Sequence, residues 1–219
     1  MKLHLLDRVL KLHQRFGLPA MTLKERRLYK NALVELGKRG PIEILEYGSG
    51  YSTIYYAKFL KSKRILFRIH TIDNNVEWFQ RVGSMITQNG LSDCVHQHLF
   101  SFSPFWEKKG WDWRKPPASG DFAPNSLEEK SYINFPITAK KRFDLIFIDG
   151  RFRRRCLEVA FKSLNPNGLV ILHDAERRQY HSSLPLFKFS EMIESSKFYP
   201  FERTQHKIWF GGLDKKHGH

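Results

Sequence analysis

Glu46, Asp73, Asp149, His173 and Asp174 are the side chains whose types and placement could do chemistry, and each follows a short apolar run. Glu46 is followed by Gly48, Ser49 and Gly50, and then by Ser52 and Thr53, which open a segment of helical character. A strand that runs into a glycine turn and then into a helix start is a nucleotide-cradling arrangement. Glycines let the backbone approach a ligand closely, and the first turn of a helix presents unpaired N–H groups. Asp73, with Asn74 beside it, lies 23 residues beyond Gly50. That is the separation at which an acid accepts hydrogen bonds from ribose hydroxyls. Glu46 would repel a pyrophosphate, whereas a cationic or hydroxyl-rich ligand would be welcome beside it. This carboxylate moves the expectation from a dinucleotide to S-adenosylmethionine.

Asp149 and Asp174 have two readings, either as ligands of a divalent cation or with one of them as general base on a hydroxyl. His173 is a second candidate base, because imidazole titrates near neutrality. The plain alternatives are that Asp149 caps a helix and that His173 is a satisfied histidine at the sheet edge. Arg151, Arg153, Arg154 and Arg155 fall where a helix starts, a place the helix dipole makes unfavourable for cations. They either grip an anionic substrate or the carboxylate of the cofactor, or form a solvated face. Cys94 and Cys156 have no partner at metal-ligand spacing and read as packing residues.

The elements that must position these groups alternate. Ile42 to Tyr47, Ile65 to Ile72, Val95 to Phe100, Phe143 to Ile148 and Leu169 to Leu172 read as strands. Helices are expected from Ser52 to Leu60, Val76 to Asn89 and Arg153 to Leu164, with another between Leu184 and Ser195. Two helices precede the first strand. One carries Leu3, Leu6, Val9, Leu10 and Phe16. The other starts at Thr22 with Glu25 completing a capping box. Phe198 to Glu202 and Lys207 to Phe210 are short strand candidates that could pair antiparallel. Strands alternating with helices imply a parallel, doubly wound sheet with its ligand at the carboxyl ends of the strands.

The 219 residues suit a single domain, with 1–38 as a helical extension and 101–141 as an insertion. The insertion holds Trp106, Trp111 and Trp113 among five prolines and shows no clear periodicity. No apolar run reaches the roughly 20 residues of a membrane span. Two cysteines make no disulfide framework, so a reducing, cytoplasmic setting is expected. The net charge of +15 is compatible with nucleic acid, anionic lipid or an acidic substrate, although the basic residues are spread along the whole chain.

Leu45-Glu46-Tyr47-Gly48-Ser49-Gly50-Tyr51-Ser52-Thr53, Thr71-Ile72-Asp73, Phe143 to Gly150 and Asn165-Pro166-Asn167-Gly168 together resemble the class I S-adenosylmethionine-dependent methyltransferases. The resemblance implies a Rossmann-like three-layer αβα sandwich. Its sheet would have seven mostly parallel strands and an antiparallel C-terminal strand. It implies Glu46, Gly48, Ser49, Gly50, Ser52, Thr53, Asp73 and Asn74 as cofactor-binding residues, with the Ser52 hydroxyl on the cofactor's carboxylate. Asp149, His173 and Asp174 become the catalytic candidates. Asp149 and Asp174 also match the cation-holding acids of metal-assisted small-molecule O-methyltransferases, where magnesium is the expected ion. His173 stands where that pattern has an acid.

The expected activity is O-methylation of a small hydroxylated acceptor, anionic or glycosidic in character. RNA methylation is the second reading, drawn from the charge. Against it, Asp149-Gly150 stands where amino-methyltransferases carry a base-holding Asn/Asp-Pro-Pro-Tyr/Phe motif. The third is a non-catalytic S-adenosylmethionine-binding module, and a nicotinamide dehydrogenase is a weak fourth.

Overall fold

The computed structural model describes residues 17–103, 124–195 and 206–214, together with the backbone of two short strands at 197–199 and 202–204. The expected first helix around Leu3 to Phe16, the tryptophans at 106, 111 and 113 and the Lys215–His219 tail lie outside the described residues.

Hydrophobic residues on both faces of short strands dictate a sheet covered on both sides. On β1 (Ile42–Tyr47), Ile42 and Ile44 face one way while Leu45 and Tyr47 face the other. On β4 (Phe143–Ile148), Leu145 and Phe147 oppose Ile146 and Ile148 in the same manner. The first face is covered by α1 (Leu23–Gly37), α2 (Tyr51–Ser62) and α3 (Val76–Gln88). The second is covered by α4 (Leu127–Thr138), α5 (Arg153–Ser163) and a 3₁₀ segment, Arg178–Leu186. The result is the expected three-layer sandwich.

With β2 (Phe67–Asp73), β3 (Val95–Leu99), β5 (Leu164–Leu172), β6 (Phe189–Glu194) and β9 (Lys207–Gly212), the strand order is β3-β2-β1-β4-β5-β9-β6. β9 alone runs antiparallel, hydrogen-bonded between β5 and β6. The chain reverses its order of placement between β1 and β4, so their carboxyl ends part into a crevice where ligands bind in such sheets.

Three local expectations are corrected. The segment from Leu184 to Ser195 forms the end of the 3₁₀ segment and then β6, whose Phe189 to Glu194 pairs residue by residue with β9. Lys207 to Phe210 does not pair with the Phe198 region; it enters the main sheet. The hairpin is made by β7 (Lys197–Tyr199) and β8 (Glu202–Thr204). Within 101–141, α4 is a helix of 12 residues. The Ser126 hydroxyl accepts from the Glu129 N–H at 3.1 Å, and the Glu129 carboxylate accepts from the Ser126 N–H at 3.2 Å. That reciprocal cap offsets a Pro136 near the helix end. Thr22 and Glu25 form the same cap on α1, as expected. Among the described residues no helix is long and apolar enough to cross a membrane.

Candidate active site

The turn after β1 and the turn after β4 meet in the crevice. Gly48 has φ +94°, and a Cβ there would lie 2.8 Å from the Gly150 Cα. A Cβ on Gly150 would come within 2.1 Å of the Tyr132 hydroxyl and 2.9 Å of the Gly48 nitrogen. Neither glycine can therefore be replaced without moving backbone. Beside this contact opens a cavity of about 670 Å³, lined by Gly48 to Ser52, Asp73 to Asn75, Trp78, Tyr132 and Asp149 to Arg151, with Leu18 to Met21 as its far wall.

Asp73 sits at the carboxyl end of β2 and is buried. One carboxylate oxygen accepts from the Ser49 N–H at 3.1 Å and from its hydroxyl at 2.8 Å. The other accepts from the N–H groups of Asn74 at 2.8 Å and Asn75 at 3.0 Å. Asp73 is thus held by the turns on either side and lines the cavity with Asn74 and Ser49. The helix that follows is capped by Asn75, whose side chain accepts from Trp78 N–H at 2.7 Å. The Trp78 indole N–H donates to the Ser49 carbonyl at 2.7 Å and fixes the glycine turn from the α3 side.

Glu46 does not line the cavity. It is 3% exposed, and one oxygen accepts from Ser52 Oγ at 2.5 Å while the other accepts from Thr71 Oγ1 at 2.9 Å and from the Thr53 hydroxyl. Thr53 Oγ1 in turn accepts from the Gly50 N–H at 2.9 Å. The first strand's acid therefore shapes the glycine turn from beneath. Burial pushes its carboxyl up to about 7, and the three hydroxyls work in the opposite direction. Thr53 belongs to this scaffold, whereas Ser52 reaches both Glu46 and the cavity wall.

At the ends of β4 and β5 the structure brings Asp149, His173 and Asp174 together, with ligand atoms mutually within 4.8 Å. Asp149 lines the cavity, but His173 and Asp174 lie behind it. His173 Nδ1 is 3.0 Å from Asp149 Oδ1, and its Nε2 is 3.7 Å from Glu25 Oε2 on α1. Burial alone would depress this imidazole, but the Asp149 and Asp174 carboxylates hold it up at about 10. His173 meets Asp149 from behind and does not itself line the cavity.

Glu25, fully buried, is opposed by its own desolvation but drawn down to about 2 by His173 and Ser195. Burial also opposes ionisation of Asp149, yet His173 and Arg153 hold it below the usual carboxylate range. Asp174 has φ 51° and takes Arg177 at 2.8 Å.

Of the four arginines, Arg153 turns inward and its side chain is 10% exposed, and Arg151 contributes to the cavity wall. Arg154 reaches Ser182 Oγ at 3.2 Å, and Arg155 pairs with Glu158 at 3.2 Å. The start of α5 is set by Phe152 at φ 52°, a left-handed conformation costly for a bulky residue.

Sequence reasoning missed Tyr132, Trp78 and the Leu18–Met21 wall. Tyr132 accepts the Arg151 N–H at 3.1 Å, and the Ser126-x-x-Glu129 cap was the available signal for its helix.

Residues 45–175 match the family described as a methyltransferase domain. No curated protein matches the sequence. Among solved structures, the chain is similar to an O-methyltransferase from Bacillus cereus in complex with SAH. The identity is 19%, 94% of this chain and 90% of that chain are covered, and the TM-score is 0.59. It is also similar to the O-methyltransferase TomG from Streptomyces achromogenes in complex with SAM, at 17% identity, 95% and 89% coverage and a TM-score of 0.55. A third, the cofactor-bound Rv0187 from MTB, gives 13% identity, 96% and 90% coverage and a TM-score of 0.58. At such identities these likenesses speak for the fold, and the family match covers more than half of the chain. The chain belongs to the methyltransferase-domain family and has the fold of the class I S-adenosylmethionine-dependent methyltransferases.

Proposed function

We propose that this chain transfers the methyl group of S-adenosylmethionine to a hydroxyl of a small acceptor. The observation that carries the proposal is the cavity itself. One wall is the glycine turn beside Asp73, and another is Asp149 with the Gly150 turn. In this reading Asp73 accepts from the cofactor's ribose hydroxyls, with the Ser49 hydroxyl giving up its own bond to make room. Asn74 and the Gly48–Ser52 turn hold the rest of the cofactor, and Glu46 and Thr53 keep that turn in shape.

The acceptor oxygen attacks the sulfonium methyl, the carbon–sulfur bond breaks with its electron pair staying on sulfur to leave S-adenosylhomocysteine, and the hydroxyl proton passes to water in the cavity. Alignment of the two reacting centres supplies most of the acceleration in such a displacement. Asp149 Oδ1 is taken by His173 and Arg153, while Oδ2 has no partner among the described residues and is the acceptor for the substrate hydroxyl. Asp149 is held ionised and weakly basic, so its main part is to orient the hydroxyl as the proton departs.

The test is transfer of labelled methyl to a panel of catechols, hydroxybenzoates and sugars. At least one hydroxylated acceptor should be labelled by the wild type and labelled more slowly by Asp149→Asn, with KM for S-adenosylmethionine little changed. Equal rates for both proteins would remove Asp149 from the reaction.

A further inference from the structure

We infer that the guanidinium of Arg153 fills the place a divalent cation would take among Asp149, His173 and Asp174, so that the site works without a metal ion. The inference concerns the same site as the proposed transfer, but it stands on contacts that do not involve the cofactor.

A guanidinium carries five N–H donors in a fixed fork. In Arg153 the three nitrogens make four hydrogen bonds and one further ion-pair contact, to five oxygens in all. Nε donates to the Gly150 carbonyl at 3.1 Å. Nη1 donates to the His173 carbonyl at 2.6 Å and to Asp174 Oδ2 at 3.4 Å. Nη2 donates to the Asp149 carbonyl at 2.9 Å and lies 2.8 Å from Asp149 Oδ1. Two carboxylates and three carbonyls, gathered at the ends of β4 and β5, are a set of hard oxygen ligands of the kind that magnesium or calcium takes. Here that set is already satisfied by a cation covalently part of the chain.

Much of the remaining capacity of the cluster is taken as well, with Asp149 Oδ2 left to the cavity side. Asp149 Oδ1 faces His173 Nδ1 at 3.0 Å, and Asp174 Oδ2 faces Arg177 at 2.8 Å. A magnesium ion needs near-octahedral oxygens at about 2.0–2.1 Å, which cannot form around atoms that a guanidinium holds at hydrogen-bond distance. A second positive charge about 4 Å from Arg153 would also be strongly repelled in a buried setting. The cation expected at Asp149 and Asp174 therefore does not fit the residues as they are folded. Arg153 is a positioning residue that holds Asp149 at the cavity wall, which is the service a metal would otherwise provide.

The experiment is calorimetric titration of the full chain with MnCl₂ and MgCl₂, without cofactor, for the wild type and Arg153→Ala. The wild type is expected to show no saturable binding up to about 1 mM, and Arg153→Ala to bind one Mn²⁺ about 100-fold more tightly or better, the scale set by removing a nearby fixed charge. Micromolar, stoichiometric Mn²⁺ binding to the wild type that Asp149→Asn abolishes would overturn the inference. So would an Arg153→Ala protein that folds but gains no Mn²⁺ site. If Arg153→Ala does not fold, the wild-type titration decides alone, with absence of binding in support and micromolar binding against. Because no cofactor is present, a failure of the methyl-transfer proposal leaves this result readable.

Discussion

Replacing Glu46 by Gln should stabilise the protein at alkaline pH while weakening the site. Glu46 is 3% exposed, has no cationic partner among the described residues and has its carboxyl raised by burial to about 7 from the usual 4.5. A carboxyl that protonates more readily when folded contributes stability below pH 4.5, and that stability is lost as pH rises through about 7. At about 1.4 kcal/mol per pH unit, the loss across that window is on the order of 3 kcal/mol, an upper figure for a buried group. Glutamine keeps the shape. Its carbonyl can accept from Thr53 and Thr71, and its NH₂ can donate to Ser52 Oγ, so few bonds are lost. Urea unfolding at pH 5 and pH 8.5 would measure the effect. The variant should match the wild type within about 1 kcal/mol at pH 5 and exceed it by about 1–3 kcal/mol at pH 8.5. Binding of the cationic cofactor should weaken in the variant, because the charge beneath the glycine turn has gone. Equal destabilisation at both pH values would show that the hydroxyl cage stabilises the ionised carboxylate, and the reasoning would fail.

Further outcomes follow from the same geometry. Gly150→Ala places a methyl 2.1 Å from the Tyr132 hydroxyl and 2.9 Å from Gly48 N, and should cost about 1–3 kcal/mol of stability together with cofactor binding. Adding Tyr132→Phe should recover part of the stability, which thermal unfolding of the pair of variants will show. His173 is held at about 10 against its usual 6.5, so its contribution is complete below pH 6.5 and lost as pH rises through about 10. Unfolding curves should show that alkaline decline in the wild type and a flatter profile in His173→Asn. Glu25, lowered to about 2, gives a contribution present above about pH 4.5 and lost as pH falls through 2; Glu25→Gln should blunt the acid limb of the same profile.

The carboxyl ends of β1, β2, β4 and β5 were legible because each is a short apolar run stopped by an acid or a glycine. A parallel sheet must bring such ends to one edge. Glu46 was found but its direction was not. Residue 46 lies on the same face of β1 as Ile42 and Ile44, towards α1 and α2, and two hydroxyls one turn into α2 were available to take it. α4 was lost because prolines and aromatics masked the Ser126–Glu129 cap. β6 resembled a helix because its strand partner among the described residues, β9, is supplied from further along the chain. The four arginines at the start of α5 looked alike. Only the left-handed turn at Phe152, which sets the phase of the helix, decides that Arg153 faces Asp149.

In the proposed function, the crevice between β1 and β4 takes S-adenosylmethionine through Asp73. Calorimetric titration of the wild type and Asp73→Ala with S-adenosylmethionine, and with NAD for comparison, tests it directly. One saturable site for S-adenosylmethionine and none for NAD is expected, with affinity at least about tenfold lower in Asp73→Ala, the scale of a lost hydrogen bond to a charged group. No binding by the folded wild type, or the same affinity in both proteins, would contradict it.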